Sequence, residues 1–367
     1  DKMGIIGDAY NLYIRDMLIF KKNWKTSIAR SIIFPLTLIL LLGNLGMSVN
    51  HVPIAVVNLA SSPYAISFIS KLNEQNSLKI YVLSNQHEAM NLLATGSVTS
   101  VVVLPENFGK TTRNTVFLYT DISSPIASQE ADAAIDQVAE LFDARPSVIS
   151  STTTNTNYVY GASSSYKTFL IAGIVVMVAA FGSMWSGGFT IITDRQLGNL
   201  KAFMVTPIHK LSILLGKMAY GISQSMINAL LALAIGLAYG GEIAEGPVGL
   251  AFIIWFAFLS SLGFSGVATA LGSRISKVEV YSLLGMAITL PMWILSGAFM
   301  PTSTLPRIMQ PFSTYNPMTY AVDAVRDVML KGLLPWSLFI LYSAILIGFA
   351  IATIAVSLIL FRNVNAV

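Results

Sequence analysis

The stretch Ile192–Lys217, ITDRQLGNLKAFMVTPIHKLSILLGK, decides how this 367-residue sequence is interpreted. It is polar, and it lies between two charge-free apolar runs, Thr168–Thr193 and Met218–Gly241. Each run is long enough for a membrane-spanning helix, which needs about 20 residues. Charged side chains are costly in hydrocarbon, so the polar stretch is expected to lie at one face of a membrane.

The composition extends this interpretation to the whole chain. Hydrophobic residues make up 54% of it and charged residues only 11%, against about 25% charged residues in a typical soluble domain. Six charge-free stretches could each contain a span: 31–70, 168–193, 218–241, 246–273, 280–306 and 332–361. We therefore predict an α-helical integral membrane protein with six transmembrane helices, in the inner or plasma membrane of the cell. The sequence has no cysteine, which excludes disulfides and cysteine-ligated metals.

The distribution of basic residues predicts the orientation. Lysine and arginine are concentrated before residue 31 and in the segments expected on the same side as Ile192–Lys217. By the positive-inside rule that side is the cytoplasm, and both termini should lie there. Residues 3–27 have apolar positions three and four apart, which predicts an amphipathic cytoplasmic interface helix on the membrane surface. The alternative is a soluble helix packed on another domain. Residues 28–49 are then transmembrane helix 1.

Residues 50–165 have the pattern of an extracytoplasmic α/β domain inserted between the first and second transmembrane helices. Four segments rich in β-branched residues predict strands: PIAVVN (53–58), LKIYVLS (78–84), VTSVVVL (98–104) and TVFLYTD (115–121). Helical segments alternate with them, with Ser61 or Ser62 and Asn85 as predicted N-caps. The order indicates βαβ units. Residues 147–165, rich in serine and threonine, are predicted to be a linker back to the membrane.

Residues 166–362 should contain transmembrane helices 2–6. Within them we predict a cytoplasmic coupling loop at 192–212 and short outer-leaflet helices at 300–334, where four prolines and several charges interrupt the apolar pattern. The predicted spans have few polar side chains. Gln224 and Asn228 in span 3, and Ser261 and Ser265 in span 4, are candidate pathway-lining residues. Hydrogen bonding between packed helices is the alternative explanation for all four.

The sequence contains no catalytic or metal-binding set. The three histidines, His51, His87 and His209, are scattered, and no HExxH motif accompanies them. FGKTT at 108–112 resembles the end of a phosphate-binding loop, but Leu104 occupies the position of its first glycine. Ion-coupled carriers usually have ionisable groups near the membrane midplane, and the predicted spans have almost none. These features indicate a transport protein whose energy comes from another polypeptide.

Two motifs resemble those of ABC type-2 exporter permeases. The first is the cytoplasmic loop pattern, which here matches Asp194, Arg195, Gly198, Leu200, Thr206, Pro207, Gly216 and Lys217. Gln196, Asn199 and Lys201 depart from the residues common in that family. The second is Ser296–Arg326, SGAFMPTSTLPRIMQPFSTYNPMTYAVDAVR, which is similar to the family segment after span 5. The long domain between spans 1 and 2 is similar to that of the drug-efflux branch.

The resemblance implies an exporter subunit and not an enzyme. It implies two permease chains, this one with a second copy or a homologous permease, each bound to a cytoplasmic ABC ATPase subunit that holds ATP and Mg. No cofactor is expected in this chain. The implied ATPase-coupling residues are Asp194, Arg195, Gly198, Leu200, Lys201, Thr206 and Pro207. Arg195 is the candidate for a charged contact with the ATPase, with Asp194 orienting it. Membrane lipids are expected partners, an extracytoplasmic adaptor is left open, and no nucleic acid is expected.

We therefore predict the permease subunit of an ATP-driven exporter of hydrophobic or amphipathic compounds, such as drugs or lipids. One alternative is a secondary transporter or channel that uses an ion gradient without an ATPase. Another is a membrane-anchored protein whose outer domain binds a partner; a single span could then replace all six without loss of function.

Overall fold

The computed structural model describes residues 4–25, 33, 35–41, 51–60, 62–110, 113–120, 125–143, 151–158, 166–206, 208–299, 302, 305–332 and 334–362. The chain divides into two compact units. The sheet unit comprises residues 45–169 and 300–306, and the helical unit comprises residues 1–44, 170–299 and 307–367.

The elements are numbered in chain order; a short helical stretch at residues 35–41 is left without a number. They are α1 (Ile5–Lys22), β1 (Val52–Asn58), α2 (Pro63–Asn73), β2 (Leu78–Leu83), α3 (Gln86–Ala94), β3 (Ser100–Leu104), β4 (Arg113–Thr120), α4 (Pro125–Asp143), β5 (Ser151–Tyr158), α5 (Tyr166–Ser183), a π-helical turn (Met184–Gly188), α6 (Phe189–Gln196), α7 (Asn199–Met204), α8 (Lys210–Ala238), α9 (Gly246–Arg274), α10 (Val278–Leu295), α11 (Gln310–Tyr315), α12 (Pro317–Arg326), a second π-helical turn (Asp327–Lys331) and α13 (Trp336–Arg362).

The sheet unit is an α/β domain, as the sequence predicts. Its five strands lie in the order β2-β1-β3-β4-β5, and only the β3–β4 pair is antiparallel. Successive residues of β1 point to opposite faces of the sheet. Ile54 and Val56 belong to the core formed with α2 and α4, whereas Ala55 and Val57 belong to the core formed with α3. The sheet is therefore covered on both faces.

The local signals in this unit have two different outcomes. The predicted N-caps are confirmed, because the side chain of Ser62 accepts from the amide of Ala65 and that of Asn85 from the amide of His87. The predicted linker is wrong where it overlaps β5, which pairs in parallel with β4 along its whole length. Threonine is β-branched and favours strands, so a Thr-rich segment can complete a sheet edge although its composition is that of a linker.

The helical unit provides most of the predicted membrane region. Five of the described helical segments are long and apolar enough to span a membrane: Lys167–Gln196, Lys210–Ala238, Gly246–Arg274, Val278–Leu295 and Trp336–Phe361. They agree with predicted spans 2 to 6. Predicted transmembrane helix 1, residues 28–49, lies largely outside the described residues, so the count of six stays a prediction, as do the assigned domain boundaries.

The first described span is central in this unit. In Lys167–Gln196, 83% of the most apolar window is buried within the chain, against 22% for α10 and for α13. Glycines allow neighbouring helices to approach it. A Cβ on Gly221 of α8 would lie 2.9 Å from the Cα of Gly187, and one on Gly272 of α9 would lie 2.9 Å from the carbonyl oxygen of Gly188. Both contacts are at the π-helical turn.

The segment after α10 folds into the two short helices α11 and α12 and the second π-helical turn. Asn316 caps α12 by accepting from the amide of Met318, and its amide nitrogen donates to the carbonyl of Met292 at 2.6 Å. Arg326 at the end of α12 is buried and donates to the carbonyl of Gly297 at 2.7 Å. These bonds fix α12 against the end of α10. The position of these helices in an outer leaflet stays a prediction.

Candidate functional site

Three charged residues from separate helices meet inside the helical unit. The ammonium of Lys217 in α8 donates to the carboxylate of Asp16 in α1 at 2.7 Å, and it also forms an ion pair with Asp194 in α6. The three side chains are at most 4% exposed. Removing a charge from water costs several kcal/mol unless a partner compensates it. The Lys217 ammonium supplies that compensation to both carboxylates.

Arg15 adds a second cation to this group. Its Nη2 donates to Asp194 Oδ1 at 2.6 Å and its Nη1 to Asp194 Oδ2 at 3.2 Å, a bidentate arrangement. Asn199 of α7 donates to Asp194 Oδ1 at 3.0 Å. The guanidinium of Arg15 lies 5.0 Å from the ring centre of Phe203. Arg15, Asp16, Asp194 and Lys217 form a set with no net formal charge, which we call the charge cluster. It joins α1, α6 and α8, and Asn199 extends it to α7.

The pKa of Arg15 is consistent with this pairing. Burial acts to lower the pKa of the guanidinium, but the hydrogen bond and the negative charge of Asp194 outweigh that effect and raise the pKa above its ordinary value. Arg15 therefore stays charged throughout the accessible pH range.

The sequence around Lys217 explains how α1 approaches α8 closely enough. A Cβ on Gly216 would lie 2.8 Å from the carbonyl oxygen of Ala9 and 3.0 Å from the Cβ of Leu12, so a larger residue would displace α1. Ser212, one turn earlier in α8, donates to the carbonyl of Ile5 at 2.9 Å. In the Gly216-Lys217 pair, glycine thus provides the space for α1 and lysine neutralises the acidic side chains.

An apolar cluster supports this region from five helices. Its buried members come from α1, α6, α7, α8 and α13: Leu12, Ile191, Leu200, Ile213, Leu214, Met218 and Phe361. Leu200, one of the predicted coupling residues, is 3% exposed. Burying a leucine side chain stabilises a fold by about 1.5–3 kcal/mol. The connection between α6 and α8 is therefore packed onto the helices by Leu200.

The prediction that Asp194 orients Arg195 is wrong, because the carboxylate of Asp194 pairs with Arg15 and Lys217 while the guanidinium of Arg195 points to a different helix. Its Nη1 donates to the carbonyl of Ile275 at 2.5 Å and its Nη2 to the carbonyl of Ser273 at 2.9 Å. These groups lie at the C-terminal end of α9, where carbonyls have no partner within the helix. Gln196 adds a longer bond to the carbonyl of Ser276 at 3.4 Å. The two adjacent residues thus connect α6 to α1 and α8 on one side and to α9 on the other.

The remaining predicted coupling residues lie along the connection after α6. Gly198 has φ +77°, a left-handed conformation that favours glycine, and it ends α6. Thr206 is exposed and its hydroxyl donates to the carbonyl of Phe203 at 2.6 Å. Lys201 lies in α7, but its side chain and Pro207 are outside the described residues. Val205, next to Thr206, is 86% exposed.

The candidate pathway residues lie where α8 meets its neighbours. Ser261 is fully buried and its hydroxyl is hydrogen-bonded to that of Ser225, while Ser265 donates to the carbonyl of Met218 at 3.4 Å. Gln224 donates to Asn228 at 3.1 Å. Both serines thus have partners on α8, whereas Gln224 and Asn228 pair along one face of α8. A pathway role for the four stays a prediction.

Sequence reasoning did not identify two parts of this site. The sequence predicts no role for Asp16, although this residue lies four residues after Leu12, at a spacing that places both on one helical face. The hydroxyl of Tyr281 in α10 donates to the carbonyl of Met184, at 2.5 Å, in the π-helical turn. No sequence signal marks this turn, although π-helical turns are frequent at functional sites.

Comparison with known proteins assigns the family. The family model of the ABC-2 family transporter protein matches residues 25–359. ABC transporter G family member 20 of Dictyostelium discoideum is 23% identical over 334 residues, 82% of this chain and 45% of that protein. The probable multidrug ABC transporter permease YbhR of Escherichia coli K12 is 25% identical over 194 residues, 52% of this chain and 51% of that protein.

A third relative is the daunorubicin resistance ABC transporter permease protein DrrB1 of Streptomyces coeruleorubidus, 23% identical over 47% of this chain and 62% of that protein. The matches span about half the length of these curated relatives. Because the family model covers most of the sequence, the chain belongs to the ABC-2 transporter family. Family membership and the five apolar helices make it a multi-pass membrane protein.

Proposed function

We propose that this chain is the permease subunit of an ATP-driven ABC exporter that moves hydrophobic or amphipathic compounds, drugs or lipids, out of the cell. It works as a dimer with a second copy or a homologous permease, and each permease binds a separate cytoplasmic ATPase subunit. ATP and Mg bind to that partner, so this chain is a transport subunit and not an enzyme. Both termini and the charge cluster face the cytoplasm, and the sheet unit faces outward.

The charge cluster is the observation that carries this proposal. It ties α1 to the central span and to α8 through buried ion pairs, and Arg195 ties the same end of that span to α9. A partner that displaces α1 or the 197–209 connection would therefore displace these spans with it. Because breaking a buried pair costs about 3–5 kcal/mol, the helices are expected to move as one body.

The docking surface for the ATPase is the exposed part of the same region. Leu197 is 69% exposed and Val205 is 86% exposed, and they flank the buried Leu200 in the connection. These two exposed apolar side chains lie on the loop that the family resemblance assigns to the ATPase contact. We assign Leu197, Val205 and Thr206 to the ATPase contact. Asp194 and Arg195 then orient the loop from within.

The distribution of charge supports an external energy source. Within the described spans, the ionisable residues Asp, Glu, Lys, Arg and His lie within three residues of an end, except for Lys217, the eighth residue of α8, which is paired with two carboxylates. No cluster of three or more potential metal ligands occurs among the described residues. Secondary transporters commonly bind their coupling ion near the midplane. The ion-gradient alternative is therefore disfavoured. The names of the relatives, a multidrug permease and a daunorubicin resistance permease, support a hydrophobic substrate.

The test is transport in inverted membrane vesicles that contain this chain and the GxxxxGK[ST] protein that co-purifies with it. A fluorescent hydrophobic amine should enter the vesicles when ATP is added. It should not enter when the lysine of that GxxxxGK[ST] motif is replaced by alanine. Entry driven by a proton or sodium gradient in the absence of the ATPase would overturn the proposal.

A further inference from the structure

One side of α1 contains an apolar groove. The groove has a volume of about 330 Å³, and the described residues that line it are Ile14, Met17, Leu18, Phe20, Lys21 and Trp24. Each residue of an α-helix turns by about 100°, so Leu18 lies about 200° from Asp16 around the axis. One face of α1 therefore contacts α8 through Leu12 and Asp16, while the opposite face leaves Leu18 59% exposed.

Basic side chains follow this groove at the C-terminal end of α1. Lys21, Lys22 and Lys25 are all exposed. In the part of the chain that the structure describes, none of the three lies within ion-pair distance of a carboxylate. Trp24 is 50% exposed beside them. The apolar groove suits a hydrocarbon chain, and the tryptophan suits the boundary of a membrane. The adjacent lysines suit an anion.

We propose that this groove binds one anionic membrane phospholipid. An acyl chain lies along Ile14, Met17 and Leu18, and Lys21, Lys22 and Lys25 hold the phosphate of the headgroup. The assignment rests on the proposed function, which puts α1 on the cytoplasmic side, and on the predicted position of residues 3–27 at the membrane surface. Charge complementarity selects the occupant, because a zwitterionic lipid would not neutralise three adjacent lysines.

The bound lipid would act on the same helix as the charge cluster. Arg15 and Asp16, which pair with Asp194 and Lys217 on the side of α1 that packs against the other helices, lie three and two residues before the groove residue Leu18. A lipid held on the other side fixes the depth of α1 in the membrane surface. The proposal is therefore a lipid site on the element that connects the partner ATPase to the spans.

The experiment measures lipid contact at Trp24 directly and needs neither ATPase nor substrate. The full chain is placed in nanodiscs of phosphatidylcholine that contain increasing fractions of either dibrominated phosphatidylglycerol or dibrominated phosphatidylcholine. Bromine quenches tryptophan on contact. The sequence has five tryptophans, so the Trp24 signal is taken as the difference between the wild-type chain and Trp24→Phe.

We expect brominated phosphatidylglycerol to quench Trp24 at a much lower fraction than brominated phosphatidylcholine. The triple variant K21Q/K22Q/K25Q should raise the fraction of the anionic lipid needed for half-maximal quenching at least about tenfold, because each lysine near an anionic surface favours binding by roughly fivefold. The matched control K71Q/K79Q/K110Q changes the charge equally within the sheet unit and should have no effect.

A second pair of variants tests the acyl-chain part of the groove. Leu18→Asn should weaken quenching by the anionic lipid, whereas Leu141→Asn on α4, where the leucine is 53% exposed, should not. Equal quenching by the two brominated lipids, or quenching insensitive to the lysine triple variant, would overturn the proposal. So would a Trp24 unaffected by either lipid, because a protein would then cover the groove. Failure of ATP-driven transport with lipid-specific quenching intact would refute only the proposed function.

Discussion

Replacing Lys217 with methionine would remove the cation shared by the two buried carboxylates. Methionine has a similar length, so the substitution removes the charge while keeping much of the packing. The substitution leaves the two carboxylates with different remaining contacts. Asp194 keeps the bidentate contact with Arg15 and the bond from Asn199, whereas the remaining contact of Asp16 with Arg15 is 3.8 Å long. The cost should therefore arise mainly at Asp16.

The expected magnitude follows from this difference. Removing one member of a buried ion pair costs about 3–5 kcal/mol because the other member is left charged and buried. Neutralising Asp16 in the same chain should recover most of that loss, so D16N/K217M should lie within about 1–2 kcal/mol of the wild-type protein. D194N/K217M should recover less stability. In K217M, Asp194 is still paired with Arg15, so neutralising Asp194 removes the charged partner of Arg15.

The assay is equilibrium unfolding of the purified chain in detergent, supported by its melting temperature. Lys210→Met is the matched control, because Lys210 begins the same helix but is exposed, and it should change the free energy of unfolding by less than about 0.5 kcal/mol. A K217M variant as stable as wild type would refute the reasoning. So would a double variant in which Asp194→Asn restores stability better than Asp16→Asn.

Three further predictions concern other parts of the chain. Gly188→Ala should reduce the yield of folded protein sharply, because the new Cβ would meet the hydroxyl of Tyr281 and lie 2.5 Å from the carbonyl oxygen of Ala268. Gly198→Ala should lower the free energy of unfolding by only about 1 kcal/mol, because the space around Gly198 is open although its φ is +77°. Arg195→Gln should weaken the hold on the end of α9 by roughly 1.5–3 kcal/mol and lower ATP-driven transport in vesicles; unchanged transport would exclude Arg195 from coupling. Burial raises the pKa of Asp132 to about 6, so the sheet unit should lose stability as pH rises from about 4 to about 6 and then level off, and the loss should be absent in D132N when unfolding is followed against pH.

The sign of the pH prediction follows from the direction of the shift. Asp132 has a higher pKa when folded than when unfolded, so between these values the folded chain holds more protons than the unfolded chain. Raising the pH through that window therefore favours unfolding. The hydroxyl of Thr120 donates to Asp132 at 3.1 Å and acts in the opposite direction, but burial is the larger effect, and the charge of Asp136 adds to it.

The sequence was sufficient for the architecture where the signal is local. Apolar runs of spanning length correspond to five described helices, and the β-branched runs correspond to β1–β4, with the capped helices α2 and α3 following β1 and β2. Both signals arise from neighbouring residues, which the sequence shows directly. β5 was missed because a Thr-rich strand at a sheet edge has the composition of a linker, and only its pairing with β4 distinguishes the two.

The sequence indicates where the candidate site lies along the chain, but not which residues contact one another in it. The polar stretch after the central span and its Gly216-Lys217 motif indicate the position of the site along the chain. The partners of Asp194 are 179 residues away in one direction, at Arg15, and 23 residues away in the other, at Lys217. Contacts at such separations depend on how helices pack. For the same reason, nothing in the sequence showed that Arg195 would reach the end of α9.

The central claim is that the connection after α6 contacts an ATPase on the cytoplasmic side. The sequence has no cysteine, so a single Val205→Cys variant provides a unique cross-linking site at a residue that is 86% exposed. In native membranes a short thiol-to-amine cross-linker should join Val205→Cys to a soluble protein whose peptides contain GxxxxGK[ST]. Ile66→Cys on α2, where the isoleucine is 66% exposed, should give no such product. Capture of that ATPase by Ile66→Cys and not by Val205→Cys would contradict the account.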